Sequence, residues 1–266
     1  MCTILAIFGL HPEYPLVIAA NRDEFTDRPT AGPTVLTEAP RSVGGLDLRE
    51  GGTWLGVNEK GIFAALTNQR TSTLPVSSLS SRGQVVRRAL ECVTPEAIAD
   101  QLHDLDASSY NPFNLLFGNA DRLYVAYAHG HQSGVEIEAL APGVHVMAND
   151  RIGSPRFPKA ERARQAVYKV YTRPWPELVA ALIEILSDHE LPPLQAIEQP
   201  PPGSLRTREQ LRALQAICIH TDGYGTRSAA LIAIDRQGGV RYLFAPGPPC
   251  RTPFQEITHL LEGHSQ

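Results

Sequence analysis

The chain lacks most of the signatures that mark common functional classes. Its 266 residues contain no GxGxxG, no Walker A motif, no HExxH and no GxSxG. The usual dinucleotide, nucleotide, zinc-peptidase and α/β-hydrolase patterns are therefore missing. It has no basic excess: 24 Lys and Arg stand against 28 Asp and Glu, for a formal net charge of −4. A nucleic-acid partner is not expected, because phosphate binding needs clustered positive charge. Long apolar runs are missing too. The run Ile4 to Phe8 breaks at Gly9, His11 and Pro12 and has no basic lead-in, which argues against a signal peptide. Nothing reaches the ~20 apolar residues of a membrane span, so the expectation is a cytoplasmic protein. Cysteines are few and scattered. Cys2, Cys92, Cys218 and Cys250 never form a CxxC, which argues against a disulfide framework or a zinc knuckle. The one close histidine pair, His129-Gly-His131, falls in a loop-like stretch without further ligands nearby. No metal and no cofactor are expected.

What is present is enough apolar material, 42% of residues, to bury one substantial core, and residues 1–266 are read as a single domain. Cys2 to Phe8 and Pro15 to Ala20 read as two strands of a hairpin buried on both faces. Thr53 to Val57 and Ile62 to Thr67 form a second pair around a turn at Asn58 to Gly61. A helix follows over Arg82 to Cys92. Another begins after Thr94, a good N-cap followed by Pro95 and Glu96, with Ile98, Leu102 and Leu105 on one face. Strands return at Asn114 to Phe117, Leu123 to Ala128, Val135 to Leu140 and Val144 to Met147. Helices follow over Lys159 to Tyr171 and Glu177 to Ser187. A proline-rich loop runs from Leu191 to Gly203, then a short helix over Glu209 to Gln215. Strands come next at Ile217 to His220, Ala229 to Ile234 and Val240 to Phe244. Thr252-Pro253 is read as the cap of a last helix ending near Gly263. Blocks of strands alternating with blocks of helices indicate an α+β chain with largely antiparallel sheet.

Four places carry candidate chemistry. Removal of Met1 would leave Cys2 with a thiol and a free α-amine, a nucleophile and a base in one residue. Asn21-Arg22-Asp23-Glu24 ends the second strand, and a hairpin would bring that end beside Cys2. An arginine there favours thiolate, and a carboxylate can hold the amine. Side chains of neighbouring strand residues point to opposite faces, so alternation lets only one of Arg22 and Asp23 reach Cys2 unless the chain turns. Asn68 and Asn149 each close a strand, where a side-chain amide can donate to an oxyanion or simply bond its own turn. Arg227, at the entry to the last hairpin, could clamp a carboxylate or lie exposed.

Met1-Cys2-Thr3, Asn21-Arg22-Asp23-Glu24, Thr53-Trp54-Leu55-Gly56, Leu66-Thr67-Asn68 and Gly225-Thr226-Arg227, in that order, resemble the NRDE family, also called the transport and Golgi organisation 2 family. Its members have been linked to Golgi organisation, haem mobilisation and lipid metabolism. A weaker resemblance reaches the cysteine N-terminal-nucleophile hydrolases such as penicillin V acylase and bile salt hydrolase. That resemblance implies a four-layer αββα sandwich, with Cys2 as nucleophile and Arg22 and Asp23 as its partners. Asn68 and Asn149 would be the oxyanion and amine contacts, and Arg227 a further contact. Two functions follow as expectations. The first is an amidohydrolase or acyltransferase acting on carbon–nitrogen bonds of small linear amides or acyl compounds. The second is a carrier of haem or acyl-lipid on the same scaffold.

Overall fold

The computed structural model describes residues 2–71, 74–130, 134–200, 204 and 206–263. In chain order the elements are β1 (Thr3–Phe8), β2 (Leu16–Phe25), β3 (Thr30–Glu38), β4 (Arg41–Asp47), β5 (Leu55–Asn58), β6 (Phe63–Asn68), α1 (Arg82–Ala89), α2 (Pro95–His103), β7 (Phe113–Gly118) and β8 (Leu123–Ala128). There follow β9 (Val135–Leu140), β10 (Gly143–Met147), α3 (Pro158–Tyr168), α4 (Trp175–Leu186), α5 (Arg208–Ala213), β11 (His220–Thr221), β12 (Tyr224–Ile234), β13 (Val240–Ala245) and β14 (Gln255–Glu256). The strands form two antiparallel sheets. The first has the order β10-β1-β2-β12-β13-β14 with β11 paired to β12; the second is the meander β3-β4-β5-β6-β7-β8-β9.

The layering follows from strand periodicity. Successive side chains face opposite ways, and β1 is buried at all six positions. Ile4, Ala6 and Phe8 meet Val57, Phe63, Leu116 and Val125 of the other sheet in a shared central core. Leu5 and Ile7 pack outward on Ala163, Leu178 and Leu182 of α3 and α4. On the far side, Ala64, Leu115 and Phe117 pack on Val86, Ile98 and Leu102 of α1 and α2. The result is the expected αββα sandwich: helix, sheet, sheet, helix. Strands covered on both faces read as continuous apolar runs, which is why β1 and the start of β2 stood out in the sequence.

Several expectations change. β2 continues through Asn21-Arg22-Asp23-Glu24 to Phe25, because β12 lies beside it and extends its ladder. β3 and β4 carry little apolar signal. β3 is a half-exposed edge strand with register shifts near Pro33 and Val35, where proline is tolerated. β4 contains Gly44-Gly45, and a Cβ on Gly45 would lie 2.1 Å from the Trp54 ring, so close packing excludes at these two positions the β-branched residues that mark strands. Of Ile217 to His220, only His220 enters a strand, β11. The last helix is absent. Ile257 N–H donates to the Tyr242 carbonyl at 2.8 Å and Thr258 Oγ1 accepts from Tyr242 N–H at 3.0 Å. The segment thus bonds along β13 as β14 and then makes a short 3-10 turn over Thr258–Leu261. No helix among the described residues is long and apolar enough to cross a membrane. His131 and part of the proline-rich loop lie outside the described residues. His129 lies 3.3 Å from Gln69 and within 3.9 Å of Glu136.

Candidate active site

β1 and β2 pair antiparallel with Thr3 opposite Asn21, so one step further Cys2 lies opposite Arg22. Both belong to the alternation that points Ile4 and Ala20 into the central core. Cys2 and Arg22 therefore carry that face to the open end of the sandwich, where the core gives way to a cavity of about 340 Å³. Arg22 is buried, and its guanidinium sits 4.2 Å from the centre of the Trp54 ring, a cation–π contact that helps to fix it.

Asp23 belongs to the opposite face, yet it also borders the cavity. It is fully enclosed. Its Oδ1 accepts from Thr226 Oγ1 at 2.6 Å, and that hydroxyl accepts from Ile219 N–H at 2.8 Å. Tyr224 Oη donates to the Asp23 carbonyl at 2.9 Å. Lys159 of α3 is completely buried and lies within electrostatic reach of both Asp23 and Cys2, with Nζ 3.5 Å from the Ala216 carbonyl. The alternation rule thus holds for the side chains, but both residues still meet Cys2: Arg22 through its guanidinium, Asp23 through its charge and its backbone N–H. Asn21, on the same face as Asp23, anchors the strand by donating from Nδ2 to the Leu186 and Ile217 carbonyls at 2.8 and 2.9 Å.

The electrostatics are those of charged groups held away from water. Burial pushes the Cys2 thiol up, and the amino-terminal charge, the Asp23 N–H and Arg22 pull it back toward thiolate. Burial also raises the Asp23 carboxyl, opposed chiefly by Lys159, and lowers Lys159, opposed by Asp23 and Cys2. Arg82, the first residue of α1, lines the cavity and feels both Glu24 and Cys2. At the rim Arg28 binds Asp47 at 2.6 Å. Leu66, Leu79 and Trp54 supply apolar wall.

Asn68 lines the cavity at the end of β6. Asn149 is buried just past β10 and donates from Nδ2 to the Asn68 carbonyl at 2.6 Å. Thr67 Oγ1 donates to the Ala148 carbonyl at 2.6 Å, so these bonds lace the two sheets together beside Cys2. Asn149 is behind Asn68 rather than among the lining residues. Arg227 is not a lining residue either. It is the extra residue of a β-bulge between Thr226, opposite Asp23, and Ser228, opposite Arg22, and its guanidinium donates to the Thr26 carbonyl. Lys159 and Arg82 are not among the residues that the sequence singles out. A signal existed for Lys159: it is one of three lysines in the chain, and it lies four residues before Ala163 and eight before Val167 on the buried stripe of α3.

Comparison with known proteins gives the family and the fold. The model of the transport and Golgi organisation 2 family matches residues 1–243. The bovine transport and Golgi organization protein 2 homolog is 31% identical over 256 residues, covering 91% of each chain. Penicillin V acylase from Agrobacterium tumefaciens superposes with a TM-score of 0.61 at 15% identity, covering 100% of this chain and 89% of its own. The Caenorhabditis elegans ortholog of N-acylethanolamine-hydrolyzing acid amidase gives 0.54 at 12% identity, over 87% and 92%. The sandwich is thus the N-terminal-nucleophile hydrolase fold, and by sequence the chain belongs to the transport and Golgi organisation 2 family.

Proposed function

We propose that the protein is a cysteine N-terminal-nucleophile amidohydrolase that cleaves the carbon–nitrogen bond of a small linear amide. The observation that carries this reading is the position of Cys2. It lines the cavity together with Arg22 and Asp23, and its thiol takes a hydrogen bond from the Asp23 backbone N–H. The likeness to two amide-cleaving structures supports it at the level of the fold.

In this reading Met1 is removed and the new α-amine lies beside the Asp23 carboxylate. The thiol proton passes to that amine as Sγ attacks the carbonyl carbon. The oxyanion takes a hydrogen bond from the Asn68 side chain, with Asn149 holding Asn68 in place. The protonated amine then gives its proton to the leaving nitrogen, the C–N bond breaks, and a thioester remains on Cys2. Water, deprotonated by the α-amine, attacks the thioester, releases the carboxylic acid and restores the thiol. A cavity of about 340 Å³ is of small-molecule size, and its mixed wall of Trp54, Leu66 and Arg82 suits an acyl chain ending in a polar group.

The test combines intact mass with amine release from a panel of N-acyl amines. The expected result is a chain lacking Met1, a trapped acyl-enzyme on Cys2, and loss of turnover in Cys2→Ala. Equal turnover in Cys2→Ala would sink the mechanism. A Cys2-dependent haem spectral shift without any turnover would favour the carrier function instead.

A further inference from the structure

We propose that His189, Cys218, His220 and Cys250 form a structural zinc site behind β12, separate from the cavity. The four donor atoms all lie within 4.8 Å of one another. Cys218 Sγ is 3.7 Å from Cys250 Sγ and 3.7 Å from His220 Nε2, and His220 Nε2 is 3.2 Å from Cys250 Sγ. Tetrahedral zinc with bonds of about 2.3 Å to sulfur and about 2.0–2.1 Å to nitrogen sets its ligands roughly 3.8 Å apart for sulfur pairs and roughly 3.5 Å apart for sulfur–nitrogen pairs. The observed spacing is that of a ligand shell. Both cysteines are free thiols, so the shell is not a crosslink.

The donor chemistry selects the metal. Two thiolates and two imidazoles in a compact four-fold set suit zinc, and a complete protein ligand set marks a structural rather than a catalytic ion. A backbone carbonyl also orients one of the imidazoles. His189 Nδ1 lies 2.9 Å from the Cys218 carbonyl. That bond puts the proton on Nδ1 and leaves the Nε2 lone pair for the metal. The rings of His189 and His220 stand 5.0 Å apart. One Zn²⁺ displaces two thiol protons on binding, with no change of oxidation state.

The location gives the site a purpose. His189 follows α4, Cys218 precedes β11, His220 is the first residue of β11, and Cys250 lies in the turn after β13, so one ion would join three segments. Two of them already meet through the Asp188 carbonyl, which accepts from Ile217 and Cys218 N–H at 3.1 and 2.8 Å. The next residue, Ile219, donates to the Thr226 hydroxyl that in turn donates to Asp23. The ion would thereby steady the loop that orients Asp23. Cys250 lies beyond residues 1–243 matched by the family model, so the assignment is made for this chain. Sequence spacing hid it, because its ligands come from segments some thirty residues apart rather than from a CxxC.

The experiment is metal analysis of the full chain purified without chelator, followed by cobalt(II) substitution of the stripped protein. About one zinc per chain is expected, with tetrahedral d–d bands and a thiolate-to-cobalt charge-transfer band. Cys218→Ser and Cys250→Ser should each lose the charge-transfer intensity and weaken metal affinity at least tenfold, whereas Cys2→Ala and Cys92→Ala should keep both. If the cysteine variants do not fold, X-ray absorption of the zinc-loaded natural chain decides, with two sulfur and two nitrogen neighbours expected. Absence of stoichiometric zinc overturns the proposal. So does a cobalt spectrum without thiolate bands, one unchanged in both Cys218→Ser and Cys250→Ser, an absorption shell lacking sulfur, or a Cys218–Cys250 disulfide in protein isolated without oxidant.

Discussion

At the scale of single residues, burial sets the difficulty and a few neighbouring charges offset it. The Cys2 thiol is raised by desolvation, and Arg22 is among the groups that bring it down. Arg22→Met removes that positive charge, so the thiol rises further and less thiolate exists at a given pH. Iodoacetamide labelling of Cys2 at fixed mildly alkaline pH should slow about two- to threefold, and its pH–rate profile should move to higher pH. An unmoved profile would show that Arg22 does not act on the sulfur. Lys159 and Asp23 pose the complementary case. Lys159→Met leaves a buried carboxylate without its main counter-charge, at a cost of about 3–5 kcal/mol at neutral pH. The sign follows from the direction of the shift. An acid whose folded-state pKa lies above its unfolded value contributes stability that is complete below the unfolded pKa and is lost as pH rises through the folded one. Urea denaturation of Lys159→Met should therefore show the deficit shrinking on acidification. The double variant Lys159→Met/Asp23→Asn should lie near the natural protein at pH 7 and lose that pH dependence. A double variant as weak as the single would show that packing, not charge, is at stake.

At the scale of elements, how tightly two pieces of chain approach decides where the cavity wall stands. α1 starts against the 52–53 turn with glycine facing glycine: a Cβ on Gly52 would lie 2.6 Å from the Gly83 backbone. Gly52→Ala must push α1 outward, at about 1–3 kcal/mol for overpacking, and it displaces Thr53, Trp54 and Arg82 along the cavity. Thermal unfolding should shift down, and the Cys2 labelling rate should change with it; an unchanged midpoint would mean that the helix shifts without cost. The same scale shows what could be read from sequence. β1, β2, β7 and β8 were legible because burial on both faces demands unbroken apolar runs, and α2 because Thr94 caps it, accepting from Ala97 N–H at 3.2 Å. β3 and β4 were not, since an edge strand and a Gly-Gly contact with Trp54 carry little apolar signal. Within the candidate site, Cys2, Arg22, Asp23 and Asn68 are local to strand ends and visible. The burial of Lys159 is signalled by its place on the α3 stripe, but its pairing with Asp23, 136 residues earlier in the chain, depends on a tertiary contact.

At the scale of the whole molecule, the two sheets share one central core, and the carboxy-terminal turn ties them together. Leu261 is buried in that core, and the Leu260 carbonyl accepts from Arg41 Nε of β4 at 2.8 Å, while Ile257 bonds to Tyr242 of β13. One short segment thus contacts both sheets, so a defect there should weaken the two together rather than release one. Leu261→Ala leaves a cavity costing about 2–5 kcal/mol. The two tryptophans report on different layers: Trp54 packs at the central core and Trp175 in the α3–α4 layer. In single-tryptophan backgrounds, Trp54→Phe and Trp175→Phe, the denaturation curves of the two reporters should coincide, and Leu261→Ala should shift both by the same amount. Curves that separate, with Trp54 melting at lower denaturant than Trp175 once Leu261 is truncated, would mean that the sheets unfold as independent units. The cavity between them would then depend on a docking equilibrium rather than on one cooperative fold.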